Sequence, residues 1–267
     1  MVFHTFAIIM EHILFSIQDG VAQIVFNRPQ VYNSMHSAMR MELIQALQSC
    51  AVDPQVRAIY LTGSGKAFCA GQDLQEVVDP TGPSMDKILS EGYNPIVQLI
   101  RSIEKPIVAA VNGVAAGAGA NIAFACDITV ASELASFTQA FSKIGLVPDS
   151  GGTWTLPRLV GLQRAAALMM LSDKITAKEA EEIGMIWKVL SSDRFEQESL
   201  QLAQKLAQMP TKALGMTKKA LQLAATNSFE AQLQVEETLQ TLAGNSYDYK
   251  EGVAAFLEKR APLFKGE

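Results

Sequence analysis

Histidine is scarce in this sequence. It contains only three, His4, His12 and His36, and all precede the glycine-rich and acidic motifs that begin near residue 63. A Ser-His-Asp triad requires an imidazole beside its nucleophile, and a metal site requires ligands at recognisable spacing. The sequence shows neither pattern, which argues against a serine hydrolase and against a metal site.

Cysteine is equally rare. Cys50, Cys69 and Cys126 are widely spaced and form no Cys-x-x-Cys pair, which predicts a reducing, cytoplasmic compartment. No apolar run approaches the roughly 20 residues of a membrane span, so no membrane association is expected. The apolar segment 1–9 lacks the features of a signal peptide. It is compatible with an extra strand, a tail, or an early start before Met10.

The charge balance excludes another class of function. The 22 basic and 27 acidic residues give a formal net charge of −5, which argues against extensive nucleic-acid binding. An anionic ligand would need local donors such as helix N-termini. The hydrophobic fraction of 49% and the length of 267 residues indicate a folded chain with a substantial core.

The pattern of apolar residues predicts an α/β fold. Short β-branched segments at 21–26, 58–61, 107–111 and 128–130 alternate with glycine-marked turns and helical patterns. Between the first two, an apolar stripe at helical spacing predicts a helix that packs on a sheet; it comprises Met39, Leu43, Ala46, Leu47 and Cys50. Strand signals end near residue 195. We therefore predict an α/β core over 1–195 and a helical region over 196–267.

Two glycine-rich stretches follow predicted strands, FCAGQD at 68–73 and NGVAAGAGAN at 112–121. If a helix begins near 118–120, its free N–H groups lie beside the turn. Two converging N–H donors would form an oxyanion hole. Tight helix–strand packing is the alternative, and residues 117–119 alone favour it, because the full dinucleotide-binding fingerprint is absent.

One carboxylate, Asp149, follows a proline and precedes Ser-Gly-Gly. On this spacing alone it is a turn residue. Apolar neighbours such as Phe141 and Leu146 should raise its pKa by desolvation, which suits a carboxyl that moves a proton near neutral pH. Together with the two glycine-rich stretches, this favours a catalytic role.

In order and spacing, segments 68–73, 112–119 and 144–152 resemble the motifs of the crotonase (enoyl-CoA hydratase/isomerase) superfamily, with coverage over 11–267. The resemblance implies a spiral of ββα units with a helical C-terminal oligomerisation region that forms homotrimers, commonly paired into hexamers. It also implies an acyl-CoA substrate. Coenzyme A is then part of the substrate, and no metal or separate cofactor is required.

The same resemblance implies roles for individual residues. The backbone N–H groups of Gln72 and Ala118 would hold the thioester oxygen, and Asp149 would move the proton. The implied contacts with coenzyme A are Arg28, Ala70, Phe256 and Lys259, the last two often from a neighbouring subunit. Without the resemblance, Arg28 is more simply a solvated surface residue and Phe256 a core or interface residue.

Hydratases of this superfamily use two glutamates, and this chain has Asn121 and Phe141 at the matching positions. Neither residue can act as an acid or base, which argues against efficient hydration. Segments 79–83, 93–95, 141–145, 184–187 and 246–252 resemble the ring-1,2-epoxyphenylacetyl-CoA isomerases of phenylacetate degradation.

We therefore predict isomerisation of 1,2-epoxyphenylacetyl-CoA to oxepin-CoA, with Asp149 as the single acid/base. The alternative within this class is a Δ3,Δ2-enoyl-CoA isomerase, or an enoyl-CoA hydratase of low activity. The alternative of another class is a non-catalytic acyl-CoA- or RNA-binding member of the superfamily.

Overall fold

Strands and helices alternate as far as Leu190, and helices alone follow. The computed structural model describes residues 10–267, so the alternatives for 1–9 lie outside the described residues. The strands are β1 (Ile13–Gln18), β2 (Val21–Phe26), β3 (Ala58–Gly63), β4 (Ala67–Cys69), β5 (Ile107–Val111), β6 (Val114–Ala116), β7 (Ile128–Ser132), β8 (Ser136–Thr138), β9 (Ile175–Thr176) and β10 (Lys188–Leu190). The helices are α1 (Ser37–Val52), α2 (Leu74–Val78), α3 (Met85–Lys87), α4 (Asn94–Ser102), α5 (Ala118–Ala125), α6 (Gly152–Val160), α7 (Leu162–Leu171), α8 (Ala177–Glu182), α9 (Phe195–Ala207), α10 (Thr211–Ala224), α11 (Phe229–Gly244) and α12 (Tyr247–Glu258). Two 3-10 helices, Pro29–Val31 and Ala140–Ile144, and a π-helix, Ile88–Tyr93, complete the regular structure.

Successive strands join two different sheets. The larger sheet has the order β1-β2-β3-β5-β7-β10, and the smaller has the order β4-β6-β8-β9. From β2 onward the large sheet is parallel, and β4, β6 and β8 are also parallel. Each turn of the chain thus adds one strand to each sheet and then a helix, as β5, β6 and α5 do. The predicted α/β fold with a spiral of ββα units is confirmed.

Burial explains why these segments form strands and helices. Every residue of β5 is buried, as expected for an inner strand of a parallel sheet covered on both faces. The predicted apolar stripe of α1 is also confirmed, because its five members are fully buried in the main core.

The helical C-terminal region begins by packing against the large sheet. Phe195 and Ala203 of α9 share a second buried cluster with Val21 and Tyr60, and the hydroxyls of Tyr60 and Ser199 lie 2.9 Å apart. Among the described residues, those of α10, α11 and α12 contribute no side chain to this cluster. The division into 1–195 and 196–267 stays a prediction. None of the described helices is both long and apolar enough to cross a membrane.

A buried lysine fixes α10 to the core. Lys218 Nζ donates to Asp127 Oδ2 at 2.9 Å and to the carbonyl oxygen of Ile100 at 2.6 Å. The same Asp127 oxygen accepts from the backbone N–H of Ile107 at 2.8 Å. The Lys218 side chain is only 7% exposed. The first residue of β5, the end of α4 and α10 therefore share one polar junction.

We expect Lys218→Met to lower the free energy of unfolding by about 2 kcal/mol, because it leaves buried acceptors without their donor. Urea denaturation would measure the change. Lys178→Met is the matched control: Lys178 pairs with Glu182 at 4.0 Å, but both side chains are largely exposed, and such pairs contribute little. Equal stability of the two variants would contradict the structural role of Lys218.

Candidate active site

The two glycine-rich stretches meet because each contains a strand of the small sheet, β4 at the start of 68–73 and β6 within 112–121. β4 and β6 pair in parallel, with Cys69 opposite Ala115, so both segments leave the small sheet at the same edge. Gly71 has a φ of +89°, and a Cβ on it would lie 2.9 Å from the Ala116 carbonyl oxygen and 3.3 Å from the Ala118 nitrogen. Glycine at position 71 therefore permits the close approach.

A second glycine brings the start of α5 against β4. A Cβ on Gly119 would overlap the carbonyl oxygen of Cys69. Tight helix–strand packing, the alternative explanation for 117–119, is thus a real property of this stretch. It does not compete with an anion site, because the same packing places the N-terminus of α5 beside the turn at 70–73.

Two backbone N–H groups beside this close approach have no protein acceptor among residues 10–267. Ala118 is the first residue of α5, and the opening N–H groups of a helix have no intrahelical partner. On either side of Gln72, the Gly71 carbonyl accepts from Met35 N at 2.8 Å and Asp73 N donates to the Met35 carbonyl at 3.0 Å. Within residues 10–267, the N–H groups of Gln72 and Ala118 themselves make no hydrogen bond. They form a candidate oxyanion hole.

Asp149 is held by the same helix that carries Ala118. It lies between the 3-10 helix Ala140–Ile144 and α6, and its carbonyl accepts from Gly152 N at 2.8 Å. Asn121 of α5 donates its Nδ2 to that carbonyl at 2.9 Å. Helix α5 therefore links the candidate oxyanion donor, Ala118 N–H, to the turn that carries the Asp149 carboxylate.

The Asp149 carboxyl is partly buried, and burial raises its pKa. The Ser150 hydroxyl donates to Asp149 Oδ1 at 2.8 Å and partly opposes this rise by stabilising the ionised form. The direction agrees with the sequence prediction. Of the two apolar neighbours expected to cause it, Phe141 is buried and Leu146 is 40% exposed.

The two positions that the resemblance matches to the glutamates of hydratases hold residues with other contacts here. Asn121 is 1% exposed, and its Oδ1 accepts from Gln139 Nε2 at 2.8 Å, so both ends of its amide are bound. The Phe141 ring lies beside the start of α5, 3.7 Å from where a Cβ of Gly117 would be. Neither side chain ionises, so Asp149 is the one acid among these three positions.

The four predicted contacts with coenzyme A lie in two places. Arg28 Nη1 donates to Asp73 Oδ2 at 2.8 Å, and Ala70 N donates to the Tyr32 carbonyl at 3.0 Å. Arg28 and Ala70 therefore lie at the turn 70–73. Phe256 is 83% exposed on α12, and Lys259 ends that helix. Their role in binding coenzyme A stays a prediction.

Two charged residues behind the turn were not identified from the sequence. Arg40 is 2% exposed and donates to the Gln72 and Glu76 side chains. One signal in the sequence could have identified Arg40: it directly follows Met39 in the apolar stripe of α1. A charged side chain at a buried position needs hydrogen-bonding partners.

A free N–H at the start of α5, a second at Gln72 and a carboxylate of raised pKa are the groups expected of an enzyme that stabilises an oxyanion and moves a proton. A family model described as enoyl-CoA hydratase/isomerase matches residues 16–267. The chain belongs to the enoyl-CoA hydratase/isomerase family, and it is an enzyme that acts on acyl-CoA.

Its relatives include proteins named as isomerases and proteins named as hydratases. The chain is 46% identical over 261 residues to the 1,2-epoxyphenylacetyl-CoA isomerase of Escherichia coli K12, covering 97% of this chain and 100% of that one. It is also 46% identical over 254 residues to a "probable enoyl-CoA hydratase" of Rhodobacter capsulatus, covering 95% and 98%. The crystal structure of an enoyl-CoA hydratase from Bacillus anthracis superposes with a TM-score of 0.89 at 31% identity, covering 96% and 100%.

We expect Ser150→Ala to raise the pKa of Asp149 further, because the lost hydroxyl stabilises the ionised carboxylate. The carboxyl should therefore lose its proton at higher pH than in the wild-type protein, as followed by ¹³C NMR of the labelled carboxyl carbon. Ser150→Gly is the matched variant, because Ser150 has a φ of +52° and glycine adopts that conformation without strain. An unchanged or lower midpoint in both variants would contradict this assignment.

Proposed function

We propose that this enzyme isomerises 1,2-epoxyphenylacetyl-CoA to oxepin-CoA. The observation that carries the proposal is the single acid: Asp149 is ionisable, whereas Asn121 and Phe141 replace the two glutamates of hydratases. An isomerisation moves one proton within one molecule, so one carboxyl suffices. The 46% identity to the Escherichia coli isomerase supports this choice.

In this mechanism the N–H groups of Gln72 and Ala118 bind the thioester oxygen and stabilise the negative charge that develops on it. Asp149 takes a proton from the α-carbon as the thioester becomes enolate-like. The ring expands as a carbon–carbon bond of the epoxide opens, and the proton returns to a ring carbon. The raised pKa of Asp149 suits a group that both accepts and returns a proton.

A Δ3,Δ2-enoyl-CoA isomerase is the second candidate, since one carboxyl could also move a proton between the α- and γ-carbons. The Rhodobacter capsulatus relative, equal in identity, favours weak hydration as a side activity. A non-catalytic member that binds acyl-CoA or RNA is the candidate of another class. The raised pKa of Asp149 and the two free N–H groups count against it.

The remaining parts of the proposal concern binding and assembly. Coenzyme A enters as part of the substrate, with Arg28, Ala70, Phe256 and Lys259 as its contacts, and the reaction requires no metal or separate cofactor. The exposed Phe256 and Leu257, at 83% and 74%, favour burial in a homotrimer or hexamer. The free thiols of Cys50, Cys69 and Cys126 favour a cytoplasmic location.

We expect Asp149→Asn to abolish isomerase turnover while acyl-CoA binding persists. The amide retains the size of the carboxyl but cannot accept the proton. Turnover of 1,2-epoxyphenylacetyl-CoA, a 3-enoyl-CoA and crotonyl-CoA should be compared in both proteins, and calorimetry with phenylacetyl-CoA measures binding. Wild-type turnover in the variant would refute the role of Asp149. Strong hydration of crotonyl-CoA by the wild type would refute the single-acid argument.

We expect Ala118→Pro to lower kcat roughly 10²-fold or more, because proline removes the proposed oxyanion donor. Position 118 is the first of α5, where proline is tolerated by a helix. Leu162→Pro is the matched control, since Leu162 also begins a helix directly after a glycine. Far-UV circular dichroism should show that both variants are folded. Equal losses of kcat in the two folded variants would contradict the role of the Ala118 N–H as a donor.

A further inference from the structure

A buried arginine lies directly behind the proposed oxyanion hole. Arg40 belongs to α1, and it is the only charged residue among the buried residues of that helix. Burying a guanidinium is unfavourable unless it is paired and hydrogen-bonded. Its partners therefore indicate what the charge does.

The guanidinium binds the side chain of an oxyanion residue. Arg40 Nη1 donates to Gln72 Oε1 at 2.7 Å, and Nη2 donates to Glu76 Oε2 at 3.0 Å. Gln72 Nε2 donates to the same Glu76 oxygen at 2.8 Å and to the Asp73 carbonyl at 3.1 Å. Both ends of the Gln72 amide are thus bound, and its side chain is not free to rotate.

The same guanidinium also reaches the backbone clamp around Gln72. Arg40 Nη1 donates to the Met35 carbonyl oxygen at 3.1 Å. That oxygen accepts from Asp73 N, and Met35 N donates to the Gly71 carbonyl. Arg40 therefore contacts the peptide at position 72 in two ways. It binds the Gln72 side chain, and it binds Met35, whose backbone pairs with Gln72.

Two further features keep Arg40 in place. A Cβ on Gly92 would lie 2.5 Å from Arg40 Nε, so glycine in the π-helix Ile88–Tyr93 leaves room for the side chain. The Tyr93 ring centroid lies 5.3 Å from Arg40 Cζ.

Burial alone would raise the pKa of Glu76, but hydrogen bonds from Ser37 and Gln72 and the charge of Arg40 lower it to about 2. The Glu76 carboxylate therefore stays ionised near neutral pH and remains paired with the Arg40 guanidinium.

We propose that Arg40 is a positioning residue for the oxyanion hole, which fixes the direction of the Gln72 N–H through the Gln72 side chain and the Met35 carbonyl. The proposal rests on the proposed function of that N–H. Glu76 holds the other side of the same assembly.

The test combines kinetics with the vibrational spectrum of a bound ligand. Phenylacetyl-CoA with a ¹³C carbonyl lacks the epoxide and does not react, and an oxyanion hole should shift its carbonyl stretch to lower frequency. Arg40→Met removes the guanidinium, whereas Gln72→Leu removes its partner but keeps the backbone N–H. We expect each variant to lose part of the shift and roughly tenfold in kcat, less than the 10²- to 10³-fold of a deleted donor, with KM nearly unchanged.

The double variant tests the route through Gln72. If Arg40 acts through that side chain, Arg40→Met/Gln72→Leu should lose little more than either single variant. Multiplied losses would overturn the route through the Gln72 side chain. Arg40→Lys retains the charge beside Glu76 but not the two-sided contact, and it provides a folded comparison if Arg40→Met unfolds.

Lys218→Met serves as the matched control, since it also removes a buried cation bound to a carboxylate and a backbone carbonyl, but beyond the opposite end of α5. It should keep the carbonyl shift and kcat. A wild-type shift and kcat in folded Arg40→Met or Arg40→Lys would overturn the proposal. No shift in the wild-type protein would instead overturn the oxyanion hole, and with it the proposed function.

Discussion

The close approach of two backbone segments is the constraint on which this site depends. Parallel pairing of β4 with β6 brings the segments together, and Gly71 and Gly119 allow the approach, because a Cβ at either position would meet backbone atoms of the other segment. Backbone donors are fixed by the path of the chain and need no side-chain rotation during the reaction. The packing of these two segments thus determines where the N–H groups of the candidate oxyanion hole lie.

Helix α5 connects most of what the proposed reaction requires. Its first residue, Ala118, supplies a free N–H, and Asn121 one turn later binds the carbonyl of Asp149. Beyond its C-terminus, Asp127 binds Lys218 of α10. The resemblance implies a glutamate at the position of Asn121 in hydratases; here an amide at this position binds the carbonyl of Asp149. Asn121 cannot serve as the acid of a hydratase, but it holds the turn that carries Asp149, the residue proposed to move the proton in the isomerisation.

Much of this arrangement could be predicted from the sequence. The apolar stripe of α1 and the four β-branched segments correctly predicted that helix and the strands β2, β3, β5 and β7, because burial and periodicity are local properties of the chain. The glycine-rich stretches follow β3 and β5 as predicted, but the short strands β4 and β6 within them were not predicted. Arg40 was missed because its partners Gln72 and Glu76 lie more than 30 residues away. Nor did the sequence indicate that Arg28 pairs with Asp73.

The sequence by itself determined the α/β class, the family and the set of ionisable residues at the three family positions, since these depend on residue identity and order. Only the tertiary structure decided which groups are free and which are occupied. Both ends of the Asn121 amide are bound, the N–H groups of Gln72 and Ala118 make no hydrogen bond within residues 10–267, and the Gln72 side chain is held from behind. The physical reason is that a hydrogen bond depends on distance and direction between atoms, and segments far apart in the chain acquire these only when the fold brings them together.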